Sequence, residues 1–182
     1  MDDKPWSGLR AWIYSFIFRT PKSNRLIVDL AGLHPTDHTL DIGCGPGAAV
    51  RLAAGIVSEG SAAGVDRSEP MVEIARKRSA DLDNVEFEVG SAELLPFPDV
   101  TFTVVWTVHS FHHWEDRRAG LTEMFRVLRA GGRAIIVEQD EKKHGLTAEQ
   151  ARRVASDMEA IGFGPVVVDR VDGQVVITGT RS

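Results

Sequence analysis

The sequence predicts a doubly wound α/β fold: a seven-stranded sheet with its last strand antiparallel, helices on both faces, and an N-terminal helical arm. Three observations carry this. From residue 39 onward, short β-rich runs alternate with stretches of helical period. A glycine cluster, Gly43-Cys44-Gly45-Pro46-Gly47, separates the first of those runs from the helix after it. Near the C-terminus Asp172-Gly173 divides two valine-rich runs, a strong two-residue hairpin turn that an all-parallel dinucleotide fold would not need.

The elements follow in order. Thr39 to Ile42 reads as the first strand, and Val50, Ala53, Ala54 and Val57 recur at helical spacing behind the glycines. Ala62 to Asp66 is a short second strand. Ser68 is placed to cap a helix that buries Met71, Ile74 and Ala75. Val85 to Val89 alternates apolar with acidic residues, as a strand near a sheet edge does. The prolines of Leu95-Pro96-Phe97-Pro98-Asp99 force a loop. Phe102 to Val108 is a β-branched fourth strand, and Leu121, Met124, Phe125 and Leu128 mark a helix expected to stop at Gly131-Gly132. Ala134 to Glu138 is the fifth strand. Thr147 and Gln150 form a capping box for a helix carrying Ala151, Val154, Ala155, Met158 and Ile161, which Gly162 ends. Val166 to Val168 and Val175 to Ile177 close the chain as a hairpin.

At 182 residues, 43% of them apolar, the chain can bury one core without staples, so a single domain over 1–182 is expected. One cysteine excludes an internal disulfide and a multi-cysteine metal knuckle, and it fits a reducing, cytoplasmic setting. With 21 basic against 26 acidic side chains the net charge is −5, which disfavours a nucleic-acid partner. No apolar run approaches the roughly 20 residues of a membrane span. Ala11 to Phe18 is broken by Ser15 and flanked by Arg10 and Arg19, and Asp2 and Asp3 are poor starts for a signal peptide.

Glycines between a strand and a helix let backbone approach a ligand where helix amides are unpaired, although a tight packing turn would read the same way. The spacing Gly43-x-Gly45-x-Gly47 is not the G-x-G-x-x-G of dinucleotide enzymes. Asp66, at the end of the second strand, can accept both hydroxyls of a ribose lying across the strand ends; alternatively it caps the following helix.

Leu40-Asp41-Ile42-Gly43-Cys44-Gly45-Pro46-Gly47 resembles the first motif of class I S-adenosylmethionine-dependent methyltransferases, and Gly64-Val65-Asp66-Arg67-Ser68-Glu69-Pro70-Met71 resembles their second. Gly90 to Asp99 is similar to their adenine-side segment, Val127 to Arg133 to the turn before their fifth strand, and Gly162-Phe163 with the closing hairpin to their antiparallel tail. The conjunction runs from Leu40 to the C-terminus and has the flavour of the small-molecule subgroup that includes ubiquinone and menaquinone methyltransferases. It implies a Rossmann-like sheet, S-adenosylmethionine as cofactor, and roles for single residues. Asp41, Gly43, Cys44, Gly45 and Gly47 would hold the methionine part, and Asp66 the ribose. Arg67, Ser91, Ala92 and Glu93 would lie on the adenine side, with Thr107 at the end of the fourth strand beside the sulfonium. The family usually has aspartate where this chain has Ser91, which implies weaker adenine binding. It also commonly has aspartate at Thr103.

His109, His112 and His113 share helical i, i+3, i+4 spacing after the fourth strand. A metal site is the sharp alternative, but no cysteine or clustered carboxylate partners them. His109 is the candidate general base and equally a candidate wall residue; all three are candidate acceptor contacts. The Asn/Asp-Pro-Pro-Tyr signature of amino-group methyltransferases is absent, and Glu138, Asp140 and Glu141 read as a solvated turn beside Lys142 and Lys143, so metal-free transfer is expected. In the arm (1–24), Leu9, Trp12, Ile13 and Phe16 form one stripe, and Trp6 and Trp12 are candidate acceptor contacts of a lid or of a permanently packed helix. The reading is methyl transfer to a small apolar or aromatic acceptor by a monomer or homodimer. Its rivals are a non-catalytic S-adenosylmethionine-binding protein and a nicotinamide oxidoreductase.

Overall fold

A helix begins within the last three residues of the arm. In the computed structural model, which describes residues 22–140 and 145–182, helix α1 (Lys22–Ala31) buries Ile27, Val28 and Ala31 against the sheet. Residues 1–21 of the arm, with Trp6 and Trp12, lie outside the described residues, as do Glu141, Lys142 and Lys143. The strands are β1 (His38–Ile42), β2 (Ser61–Asp66), β3 (Val85–Val89), β4 (Phe102–Val108), β5 (Leu128–Gln139), β6 (Val167–Val171) and β7 (Gln174–Thr180). Between them run α2 (Ala48–Ala54), α3 (Glu69–Arg78), α4 (Arg117–Val127) and α5 (Ala148–Ile161). The seven strands form one sheet ordered β3-β2-β1-β4-β5-β7-β6. The neighbouring pairs among β1 to β5 are parallel, and β7 runs antiparallel to both β5 and β6.

Period-two alternation sends successive strand residues to opposite faces. Leu40, Ile42, Val105 and Ile136 join Leu121, Met124, Val154 and Met158 under α4 and α5. Val104, Trp106, Ile135 and Val137 join Ile27, Val50, Ala53, Val72 and Ala75 under α1, α2 and α3. Both faces of the sheet are therefore cored, as a parallel sheet requires. Among the described residues no helix is long and apolar enough to cross a membrane.

Four local expectations are corrected. The fourth helix ends at Val127 rather than at Gly131-Gly132, and those glycines lie inside the long β5. The cause is tertiary: Leu128 pairs with Phe102, and the Arg181 guanidinium takes the carbonyls of Phe125, Arg126 and Leu128. Ser68 holds the N-cap position of α3, but its buried hydroxyl makes no cap bond. Val72, not Ile74, is the fully buried neighbour of Met71 and Ala75. Glu138 is not on a solvated turn; it is wholly buried, and Asp140 pairs with Arg170 at 2.7 Å. Thr103 takes a structural post at the far end of the sheet, donating to Asp37 (2.6 Å) and accepting from the His38 amide (3.0 Å).

Candidate active site

Parallel strands deliver their C-terminal ends to one edge, and the first loop there is built on glycine. The Gly43 and Cys44 amides both donate to the Val65 carbonyl, at 2.8 and 3.0 Å, which turns the chain back over β2. Gly43, Gly45 and Gly47 all have positive φ (79°, 51° and 74°). The space beside them differs. A Cβ at Gly43 would fall 1.9 Å from Ser110 Oγ, and one at Gly47 2.8 Å from the Phe87 ring; one at Gly45 would meet nothing within 4 Å. Two of these glycines make room for packing, whereas Gly45 stands beside open space.

That space is a cavity of about 330 Å³. Gly43, Cys44, Gly45, Pro46 and Ala48 line it on one side; Lys22, Ser23 and Asn24 from α1, and Val108, His109, Gln139 and Gln174 from the strand ends, complete it. Asp66 fixes its floor: Oδ2 accepts from the Gly45 amide (2.8 Å) and Oδ1 from the Ser68 amide (2.9 Å). Burial raises the Asp66 pKa, and those two amides hold the rise in check. Asp41 is pushed up to about 7, chiefly by burial, with the charge of Asp66 adding to the rise. The Trp106 indole, its register partner across β1 and β4, opposes the shift without closing a hydrogen bond of normal geometry. The Cys44 thiol is buried and held well above its ordinary pKa, so it is no thiolate nucleophile.

The histidines do not share one helix. His109 has left-handed backbone (φ 51°), its amide donates to Val137 O (2.9 Å), and its Nε2 lies 2.6 Å from Gln174 Oε1. His112 and His113 sit on a single 3₁₀ turn (Phe111–His113), rings 3.9 Å apart. The His112 amide donates to Glu138 Oε1 (3.2 Å) and its Nδ1 lies 2.9 Å from Oε2. Burial raises the Glu138 pKa to about 7, against the pull of the His112 amide and the His109 charge. Among the described residues no three metal-ligating side chains cluster.

The cavity thus unites Gly43, Cys44, Gly45 and His109 of the residues singled out from sequence. Asp41, Asp66 and Gly47 support its loop from behind. Thr107 is fully buried with its hydroxyl unpartnered. The adenine-side candidates stand elsewhere: Ala92 is buried, Ser91 bridges to Leu94, and the Glu93 carboxylate accepts the Glu115 and Asp116 amides at 2.9 and 3.4 Å. Arg67 makes an exposed 3.6 Å ion pair with Glu115. Lys22, Ser23, Asn24, Gln139 and Gln174 were not anticipated. Gln139 and Gln174 stand near the apolar runs Ile135–Val137 and Val175–Ile177, but only the pairing of β5 with β7 brings them together at the cavity.

The methyltransferase domain family's sequence model matches residues 40–136, which span β1 to most of β5 and hold the glycine loop, Asp66 and His109. The chain belongs to that family. It is 43% identical over 159 residues to 27-O-demethylrifamycin SV methyltransferase of Amycolatopsis mediterranei, covering 82% of this chain and 56% of that one. To demethylmenaquinone methyltransferase of Symbiobacterium thermophilum it is 38% identical over 121 residues, 64% of this chain and 48% of that one. The chain therefore spans about half the length of these relatives. Its fold is shared with an Aquifex aeolicus SAM-dependent methyltransferase, at TM-score 0.79 and 21% identity over 97% of this chain and 100% of that one.

Proposed function

We propose that this chain binds S-adenosylmethionine over the glycine loop and transfers its methyl group, without a metal, to a small organic acceptor in the adjoining cavity. The observation that carries the reading is Gly45: backbone with open space where a side chain would stand, its amide fixed by the strand-end carboxylate of Asp66. A ligand with a ribose and a cationic centre fits this donor set, because Asp66 and Asp41 bring carboxylates to the edge beside the loop that lines the cavity. Bound there, S-adenosylmethionine would supply an electrophilic methyl group on a sulfonium. Gly43 to Pro46 would hold its methionine part, Asp66 its ribose, and Ser91, Ala92 and Arg67 the adenine side.

The chain's own work is to orient the acceptor and exclude water, worth up to roughly 7–11 kcal/mol of barrier when alignment is good. His109, which lines the cavity, serves as base for an acceptor that must lose a proton. The names of the two relatives support an organic small-molecule acceptor, and we read it as apolar or aromatic in body. Residues 1–21 lead directly into Lys22 of the cavity wall, which supports assigning Trp6 and Trp12 to the acceptor side. One cytoplasmic domain within these 182 residues completes the proposal.

The test has two stages. Titration calorimetry should show S-adenosylmethionine binding and no nicotinamide dinucleotide binding. An acceptor library with labelled cofactor should then show methyl transfer that persists in chelator. Binding without transfer to any acceptor would favour a non-catalytic binding protein; loss of transfer in chelator, restored by a divalent metal, would overturn the metal-free mechanism.

A further inference from the structure

We infer that Gln174 is a positioning residue for His109: its amide oxygen holds the imidazole in the tautomer protonated at Nε2, so that Nδ1 is the nitrogen that takes a proton. An amide oxygen only accepts hydrogen bonds, so the 2.6 Å contact between Gln174 Oε1 and His109 Nε2 obliges the ring nitrogen to donate. In the neutral ring the in-plane lone pair then resides on Nδ1.

The two residues reach each other from different parts of the fold. Gln174 opens β7 straight after the Asp172-Gly173 turn and pairs in register with Gln139 of β5. His109 follows β4 in left-handed backbone pinned by Val137 of β5. The imidazole is therefore aimed from its backbone by one strand and held at its far nitrogen by another, and both residues line the same cavity.

The choice of an amide has a chemical consequence. A carboxylate at position 174 would fix the same tautomer but would also stabilise the imidazolium. Glutamine orients the ring without placing a charge against it. Among the described residues, the charged or titratable groups near His109 include Glu138 on β5, whose carboxylate is engaged by the His112 amide and ring, His112 and His113 on the 3₁₀ turn, and Lys22 of α1 and Cys44 in the same cavity wall. The role as positioning residue rests on the methyl-transfer reading; the tautomer does not, so the two fail separately.

Nitrogen-15 NMR of the histidine rings in the ligand-free protein decides it, with His109 assigned by the signal lost in His109→Asn. The wild type should show His109 protonated at Nε2 and bare at Nδ1. Gln174→Glu should keep that tautomer and raise the His109 pKa by about 1–3 units. Gln174→Leu should give a tautomer mixture. A wild-type ring protonated at Nδ1, or a Gln174→Glu titration that leaves His109 unmoved, would overturn the assignment. Should Gln174→Leu fail to fold, the wild-type tautomer and the glutamate variant still decide.

Discussion

The three loop glycines make a controlled experiment, because alanine at each pays the same backbone cost but meets different surroundings. Left-handed φ costs an L-residue about 1–2 kcal/mol. At Gly45 that is the whole penalty, since a Cβ there touches nothing within 4 Å. For a domain of this size it amounts to a melting shift of about 2–8 °C. At Gly43 the new methyl would run into Ser110 Oγ, and at Gly47 into the Phe87 ring and the Ala75 methyl. Overpacking adds about 1–3 kcal/mol at those positions, for a total drop of about 4–20 °C. Binding should rank the other way. Gly45→Ala places its methyl in the space the cofactor needs and should weaken S-adenosylmethionine at least tenfold, about 1.4 kcal/mol, in a protein that remains folded. Scanning calorimetry gives the stabilities and titration calorimetry the affinities. If Gly45→Ala binds as wild type does, the glycine loop is a packing turn and the cofactor lies elsewhere.

Other outcomes follow from the same edge. Asp66→Ala should lower S-adenosylmethionine affinity by about 1.5–3 kcal/mol, read by calorimetry, and an unchanged affinity would remove its ribose role. Asp41 and Glu138 are both raised to about 7 from ordinary values of 3.8 and 4.5, so the folded state favours their protonated forms. That contribution to stability is fully present below about pH 4 and is lost as pH rises through 7. Denaturant unfolding should accordingly show stability declining from pH 5 to 7.5, and Asp41→Asn and Glu138→Gln should each flatten the decline; parallel slopes in all three proteins would contradict it. Conversely, affinity for the cationic S-adenosylmethionine should rise between pH 6 and 8 as Asp41 ionises, whereas the uncharged thioether product S-adenosylhomocysteine should respond less. Deleting residues 1–20 should leave cofactor affinity intact and depress turnover; full turnover in the truncated chain would place the acceptor contacts elsewhere.

Where local pattern and global fold agree, the sequence was sufficient. Val85 to Val89 and Phe102 to Val108 were bounded correctly because alternation and β-branching are written in the residues themselves. The capping box of Thr147 and Gln150 was read for the same reason. What escaped was decided by distant chain. Arg181 and Phe102 end α4 early from other parts of the sequence, and no local rule reports them. Glu138 looked solvated among acidic neighbours, yet β7 carries β5 on to Gln139 and His112 compensates the buried carboxylate. The helical spacing of His109 with His112 and His113 was a coincidence broken by one positive φ. At the candidate site, the glycines and Asp66 were legible from spacing, whereas Gln139 and Gln174 became site residues only through the pairing of β5 with β7.

The carboxylates at this edge share a physical task that explains their cost. Each strand end there opens into a loop whose amides have no ladder to join, and buried amides must be satisfied. Asp66 answers the Gly45 amide of one loop and the Ser68 amide of the next, locking two connections together with one side chain. Glu138 answers the amide of His112 across the β4–β5 junction. Asp41, beside them on β1, faces the Trp106 indole and feels the charge of Asp66. Fixing loops with buried carboxylates rather than with neutral side chains places ionisable groups where the dielectric is low, so burial raises the pKa of each, and for Asp41 the charge of Asp66 adds to the rise. In the empty protein that is a destabilising arrangement above neutral pH. A cationic ligand seated over the Gly45 backbone would reverse its sign, turning the mutual repulsion of Asp41 and Asp66 into attraction for the ligand. The same groups that hold the loop in shape thereby select the charge of what the loop can hold.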